Sequence, residues 1–257
     1  GRAPGQAPGR GVVGVAAGLS LLAVLLASYV KGVIGFGFPT ISTPIVALFL
    51  EPRTAIAVLI FPNLVMDGIQ TIRKPGLLET LRRHAMLLLF GIGGTFLGTQ
   101  LLVWFSSQKL LLILGAFVLV FVAVNASRVS FRVPPRLERY LSPPIGLFAG
   151  VLGGVTNVPG LPLVLYFYAL GMGKDEFIRS IAFSFLVYKT AQLVSVIYFG
   201  LMTWPLFGLS ALATAMGLGA FWLGLRTQDR VNQVTFNRVV LGFLGILGIW
   251  LVIRSVR

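Results

Sequence analysis

Seven stretches of the chain, at about 11–33, 54–72, 84–105, 109–127, 176–199, 204–225 and 235–253, each hold close to twenty mainly apolar residues. About 20 helical residues cross the hydrocarbon core of a bilayer, where only structures that satisfy their own backbone hydrogen bonds survive. The stretches therefore predict an all-α, polytopic membrane protein. Composition agrees: 56% of residues are hydrophobic and 11% charged, and the mean hydropathy of +0.92 lies far above that of water-soluble domains. With no cysteine and one histidine, thiol nucleophiles, iron–sulfur clusters and zinc sites lack their ligands, so no metal and no cofactor is expected.

The net charge is +14, from 21 Lys and Arg against 7 Asp and Glu. In a soluble protein that would suggest nucleic acid. Here the cations lie in short segments between apolar runs, the arrangement that orients a multi-pass protein, so no nucleic-acid partner is expected and the partner is the bilayer. The most polar segment, "SRVSFRVPPRLERYLSPP", reads as a basic cytoplasmic connector over 128–142. The loop 73–83, with four cations, falls on the same side, two helices away, and Lys31 counts among the cations of that side. Residues 1–10 read as a flexible tail, and Val12 to Val30 as a membrane helix rather than a secretory signal. The repeats would then occupy 11–127 and 143–257, in a cell (inner) membrane protein compatible with a homo-oligomer.

Two regions break the pattern of crossing helices. They are "GVIGFGFPTISTPIVALFL", Gly32 to Leu50, and "GVLGGVTNVPGLPLVLYF", Gly150 to Phe167. An offset of 118 places Gly35 on Gly153 and Pro44 on Pro162. Later landmarks keep the same order at larger offsets: Asp67 and Gln70 fall on Lys189 and Gln192 at 122, and Gly91, Gly93 and Gly98 on Gly217, Gly219 and Gly224 at 126. The chain reads as a duplication. The apolar arms of the second region, about 145–154 and 160–170, each reach about 15 Å, half the hydrocarbon core. A hairpin that dips in and returns fits, and it makes the halves inverted repeats, each with one re-entrant motif and about four further helices. The glycines of 91–98 and 217–224 read as close-packing faces.

Irregular backbone survives at membrane depth only where protein buries it or a wet cavity lines it, and matched broken segments point to a midplane binding site. Half-helices restarting after Pro39 and Pro159 offer free N–H groups and positive dipole ends, which favour an anion. Gly35, Gly37, Thr40, Ser42, Gly154, Thr156 and Asn157 are the candidate contacts of the two motifs. Charged residues inside membrane helices are functional candidates because inserting them is costly. Lys189 shares a helix face with Tyr188, Gln192 and Ser195, and Asn63, Asp67 and Gln70 recur at i, i+4 and i+7. Lys189 would attract the anion with Asn63 and Gln192 beside it, while Asp67 and Gln70 are candidates for coupling; the alternative is an Asp67–Lys189 ion pair that only ties the halves together. His84 reads as an interfacial residue.

The paired motifs "GFGFPTISTPIVALF" and "GGVTNVPGLPLVLYF", each opening half of a small multi-helix protein with a basic connector, resemble the TauE/SafE family of sulfite and organosulfonate exporters. The resemblance implies secondary transport of small sulfur-containing anions, sulfite, sulfoacetate or related sulfonates, with anion contacts at Gly35, Gly37, Thr40, Gly154, Thr156 and Asn157. An anion channel would share the positive midplane without alternating access. An intramembrane enzyme fits poorly. Asp67 is the only intramembrane carboxylate, and neither Ser184 nor Ser195, the serines near Lys189, sits in a G-x-S-x-G elbow.

Overall fold

The computed structural model describes residues 10–73, 75–126, 132–227, 249, 252 and 253. Among these the chain forms nine helices and no strand: α1 (Arg10–Ile34), α2 (Phe38–Val46), α3 (Pro52–Ile72), α4 (Leu77–Trp104), α5 (Ser107–Ala126), α6 (Pro135–Thr156), α7 (Gly160–Ala169), α8 (Lys174–Tyr198) and α9 (Trp204–Thr227). Six of them, α1, α3, α4, α5, α8 and α9, are long and apolar enough to cross a membrane. Their outward faces carry large apolar side chains such as Leu89, Leu97, Val194 and Trp222, as lipid contact requires. Residues 1–9 of the expected tail over 1–10 and most of the apolar run 235–253 lie outside the described residues, and Arg10 opens α1 instead.

The helix ends follow local chemistry. Pro52 opens α3 at its first turn, where a missing N–H costs nothing, and the Glu51 carboxylate accepts from Thr54 N. The Arg53 guanidinium donates to the carbonyls of Leu102, Val103 and Phe105, the unpaired C-terminal end of α4. α4 starts earlier than the apolar run suggests and bends at His84 (φ −102°, ψ 15°). α6 is a single helix of 22 residues that continues through Pro143 and Pro144. Residues 135–142, read from sequence as connector, are therefore its first turns, and the arm before the second break is about twice the expected length; residues 128–131 of that connector are outside the described residues.

At one end of the bundle Arg83 on α4 clasps Glu138 on α6 through two nitrogens (2.8 and 3.0 Å) and Glu176 on α8 (2.5 Å). Arg179 on α8 donates to Pro75 O and Thr80 Oγ1. Loop 73–83 and the first turns of α6 thus meet at a shared end of the bundle. Val133 N bonds Ala169 O (2.8 Å), and the Tyr166 hydroxyl donates to Glu138 O and pairs with Ser142 Oγ. The α6–α7 pair therefore enters and leaves at that end as a hairpin.

Close packing rests on glycine, because association within lipid gains little from hydrophobicity and depends on intimate contact. A Cβ on Gly94 or Gly98 of α4 would strike the carbonyl of Leu147 or Val151 on α6, and a Cβ on Gly146, Gly150 or Gly154 would strike α4 backbone. The α1–α9 seam is built likewise: Gly32 meets Phe221 and Gly224, Gly217 meets Ser28, and Gly224 meets Tyr29. In both seams the contacts advance together, so α1 runs parallel to α9 and α6 to α4. α3 packs against both α8 and α9, and α8 against α4. This set of neighbours maps onto itself when α1, α3 and α4 are exchanged for α6, α8 and α9.

Candidate functional site at two helix breaks

Each hairpin turns through residues held in the left-handed region. In the first, Gly35 (φ 90°) and Gly37 (φ 98°) separate α1 from α2; in the second, Asn157 (φ 69°) ends α6. Glycine adopts this conformation freely, and asparagine is among the few other residues that tolerate it. Asn157 N closes the turn on Gly153 O (2.8 Å). No side chain caps the start of α2 or α7, so the first N–H groups of both half-helices have no side-chain acceptor from a capping residue.

Around the second break the ammonium of Lys189 is fully enclosed by oxygens: Asn157 O at 2.8 Å, Asn157 Oδ1 at 2.5 Å and Gln192 Oε1 at 2.6 Å. Gln192 Nε2 in turn holds Gly153 O (2.9 Å) and Gly154 O (3.3 Å), the last carbonyls of α6. Asn157 Nδ2 donates to Thr43 Oγ1 on α2 (3.0 Å), which joins the two hairpins directly. Lys189, Gln192 and Asn157 are at most 1% exposed, so each polar atom depends on these contacts.

Around the first break the Lys31 ammonium pairs with Asp67 Oδ1 (2.5 Å) and donates to Asn63 Oδ1 (3.1 Å), while Gln70 Nε2 holds Lys31 O (3.3 Å). Lys31 and Asp67 are both completely buried, and the ammonium lies 5.6 Å from the Phe185 ring centre. Asp67 lies in the combined field of Lys31 and Lys189. Fully ionised, this enclosed trio carries one net positive charge.

Two expectations from sequence are corrected. Asp67 pairs with Lys31 rather than Lys189, because Lys189 is committed to Asn157 and Gln192. Lys31, counted among the orienting cations at the membrane edge, is instead part of the buried site, in the last turn of α1 where helix carbonyls favour a cation. The polar face of Asn63, Asp67 and Gln70 was the available signal, since a buried carboxylate requires a cation.

The register of the breaks also differs from the glycine and proline matches. α1 and α6 end 122 positions apart, at Ile34 and Thr156, and α2 and α7 begin 122 apart, at Phe38 and Gly160. Gln70 to Lys31 O and Gln192 to Gly153 O repeat at the same spacing. Gly35 thus corresponds to Asn157, both with positive φ, and not to Gly153. Conformation, not residue type, marks the break.

The remaining candidates divide. Thr40 is buried. Ser42 donates to Phe38 O, and Thr156 donates to Leu152 O while accepting from Val158 N, so both hydroxyls are bonded to backbone of or beside their own helix. Gly154 lies against Thr95 and Thr99 of α4, and Gly35 against Ile178 and Gln70. His84, expected at an interface, is 1% exposed. It sits at the bend of α4 against the Phe167 ring, 3.4 Å from Ser180 Oγ, next in sequence to the Arg83 that clasps α6 and α8.

Six crossing-competent helices packed around buried polar and charged side chains at two helix breaks define a multi-pass membrane protein. The model of the sulfite exporter TauE/SafE family matches residues 20–251. Nearly the whole described bundle falls within that match, and the chain belongs to this family. No curated protein and no solved structure matches it.

Proposed function

We propose that the protein is a secondary transporter of small sulfur oxyanions, sulfite, sulfoacetate or related organosulfonates, across the cell (inner) membrane. The anion binds where the breaks meet, between two inverted repeats that rock about it in alternating access. The observation that carries the reading is the enclosed Lys189 ammonium, set at a helix break beside half-helices without N-terminal caps. Lys189, Asn157, Gln192 and Thr156 on one side and Gly35, Gly37, Thr40, Ser42 and Asn63 on the other frame the anion. Gly154 sets how closely this frame approaches α4, and Asp67 and Gln70 couple the cycle to an ion.

The inverted relation is supported by the parallel α1–α9 and α6–α4 seams together with the hairpin geometry of α6–α7. Because α4 leaves the Arg83 end and α9 runs back towards it, exchange of the repeats reverses their direction.

Counterflow in proteoliposomes tests the mechanism. Vesicles preloaded with unlabelled sulfite should transiently accumulate labelled sulfite above equilibrium. Label that only equilibrates would identify a channel and contradict alternating access. Thermal unfolding of the purified protein against sulfite, sulfate, thiosulfate, taurine, sulfoacetate and acetate tests the substrate class, since a ligand of the native state raises apparent stability as ln(1 + [L]/Kd). Stabilisation by the carboxylate alone would refute the sulfur oxyanion assignment.

A further inference from the structure

The last turns of α3 hold three buried oxygens that meet no hydrogen-bond partner: Asp67 Oδ2, Gln70 Oε1 and Thr71 Oγ1. Their spacing, i, i+3 and i+4, puts them on one helix face. Thr71 departs from its peers here. Thr80, Thr95, Thr99 and Thr214 each return their hydroxyl to the carbonyl four residues back, whereas the Thr71 hydroxyl does not. One unmet buried polar atom is costly, and three unmet oxygens on one face, with the unmet Asn63 Nδ2 one turn before them, mark a place where something binds.

The surrounding field selects the occupant. Asp67 to Thr71 lie at the C-terminal end of α3, and Gln70 reaches the last turn of α1 through Lys31 O. Both helix ends are electronegative, so this corner favours a cation while the starts of α2 and α7 favour an anion. The second break shows what such a frame holds, namely an ammonium on Asn157 O, Asn157 Oδ1 and Gln192 Oε1. At the spacing of 122, Asn157 becomes Gly35, Gln192 becomes Gln70, and Lys189 becomes Asp67. The first break thus keeps the glutamine of that frame, lacks the asparagine side-chain oxygen because Gly35 stands there, and carries a carboxylate where the tethered cation would be rooted. Lys31 engages Asp67 Oδ1 and leaves Oδ2 open.

We infer that Asp67 Oδ2, Gln70 Oε1 and Thr71 Oγ1, with the backbone carbonyls of the break at Gly35, form a site for a free monovalent hard cation of the sodium type. Oxygen-only ligands suit such an ion. Its role as coupling ion rests on the transport reading; its binding does not. Filling the site raises the charge of the buried cluster from +1 to +2, so cation and anion strengthen each other's binding reciprocally.

The test is thermal unfolding of the purified protein as NaCl replaces choline chloride at constant ionic strength. The melting temperature should rise with the logarithm of sodium concentration and rise less with potassium. Thr71→Val, which removes only the hydroxyl, and Gln70→Met should each raise the half-effective sodium concentration at least tenfold, and Asp67→Asn should abolish the response. Sodium and choline giving the same melting curve at every concentration would overturn the site. Sulfite uptake driven by a pH gradient in sodium-free medium and unaffected by added sodium would overturn the coupling role of the cation and give Asp67 a proton instead. Stabilisation by sodium without any response to sulfite would uphold the cation site and refute the anion reading alone.

Discussion

The two helix breaks are framed alike and finished with opposite charges. In each, a glutamine on the following long helix holds a carbonyl near the end of the helix before the break, Gln70 on Lys31 O and Gln192 on Gly153 O. Three residues before that glutamine stands Asp67 in one case and Lys189 in the other. Asp67 needs a cation and takes Lys31 from α1; Lys189 takes only neutral oxygens from its own hairpin and helix. At one position of two matching frames the side chain thus changes sign, from the Asp67 carboxylate to the Lys189 ammonium.

The largest expected effect separates the charged pair from the neutral cage. Lys31→Met leaves the Asp67 carboxylate buried without its direct partner, which should cost about 3–5 kcal/mol. Adding Asp67→Asn should recover much of that loss in thermal unfolding. Additive losses would show that the pair is not coupled.

A smaller effect compares the seams that hold the breaks in place. Gly98→Ala and Gly224→Ala each push a methyl into a neighbouring backbone carbonyl, of Val151 and Tyr29 respectively, and should each destabilise by about 1–3 kcal/mol. Neither should change the concentration of sulfite needed for half-maximal stabilisation. A shift in that concentration in only one variant would make its seam part of the site.

The smallest effect concerns the bond between hairpins. Thr43→Val removes the acceptor of Asn157 Nδ2 and should cost about 1 kcal/mol. Serine at the same position should restore it.

Much of this was legible in the sequence. Apolar runs located six crossing helices, because the bilayer fixes their length, and the glycine–proline interruptions located both breaks. The face of Asn63, Asp67 and Gln70, and Lys189 with Gln192, followed from helical spacing. The partner of Asp67 did not follow, because pairing across helices is tertiary and two lysines were available. Nor did the register of the breaks, since Gly35 and Asn157 share a backbone conformation without sharing a residue type. The length of α6 was hidden by Pro143 and Pro144, which usually end helices, and the burial of His84 comes from tertiary contacts with Phe167 and Ser180.

The central claim is that the Lys189 ammonium, set in the second break, holds the transported anion. Equilibrium titration of purified wild-type protein and Lys189→Ala with sulfite measures this most directly. The account predicts saturable binding by the wild type and a loss of about 2–5 kcal/mol in the variant, a weakening of at least thirtyfold, with the variant still folded. Equal affinity in a folded variant would contradict it.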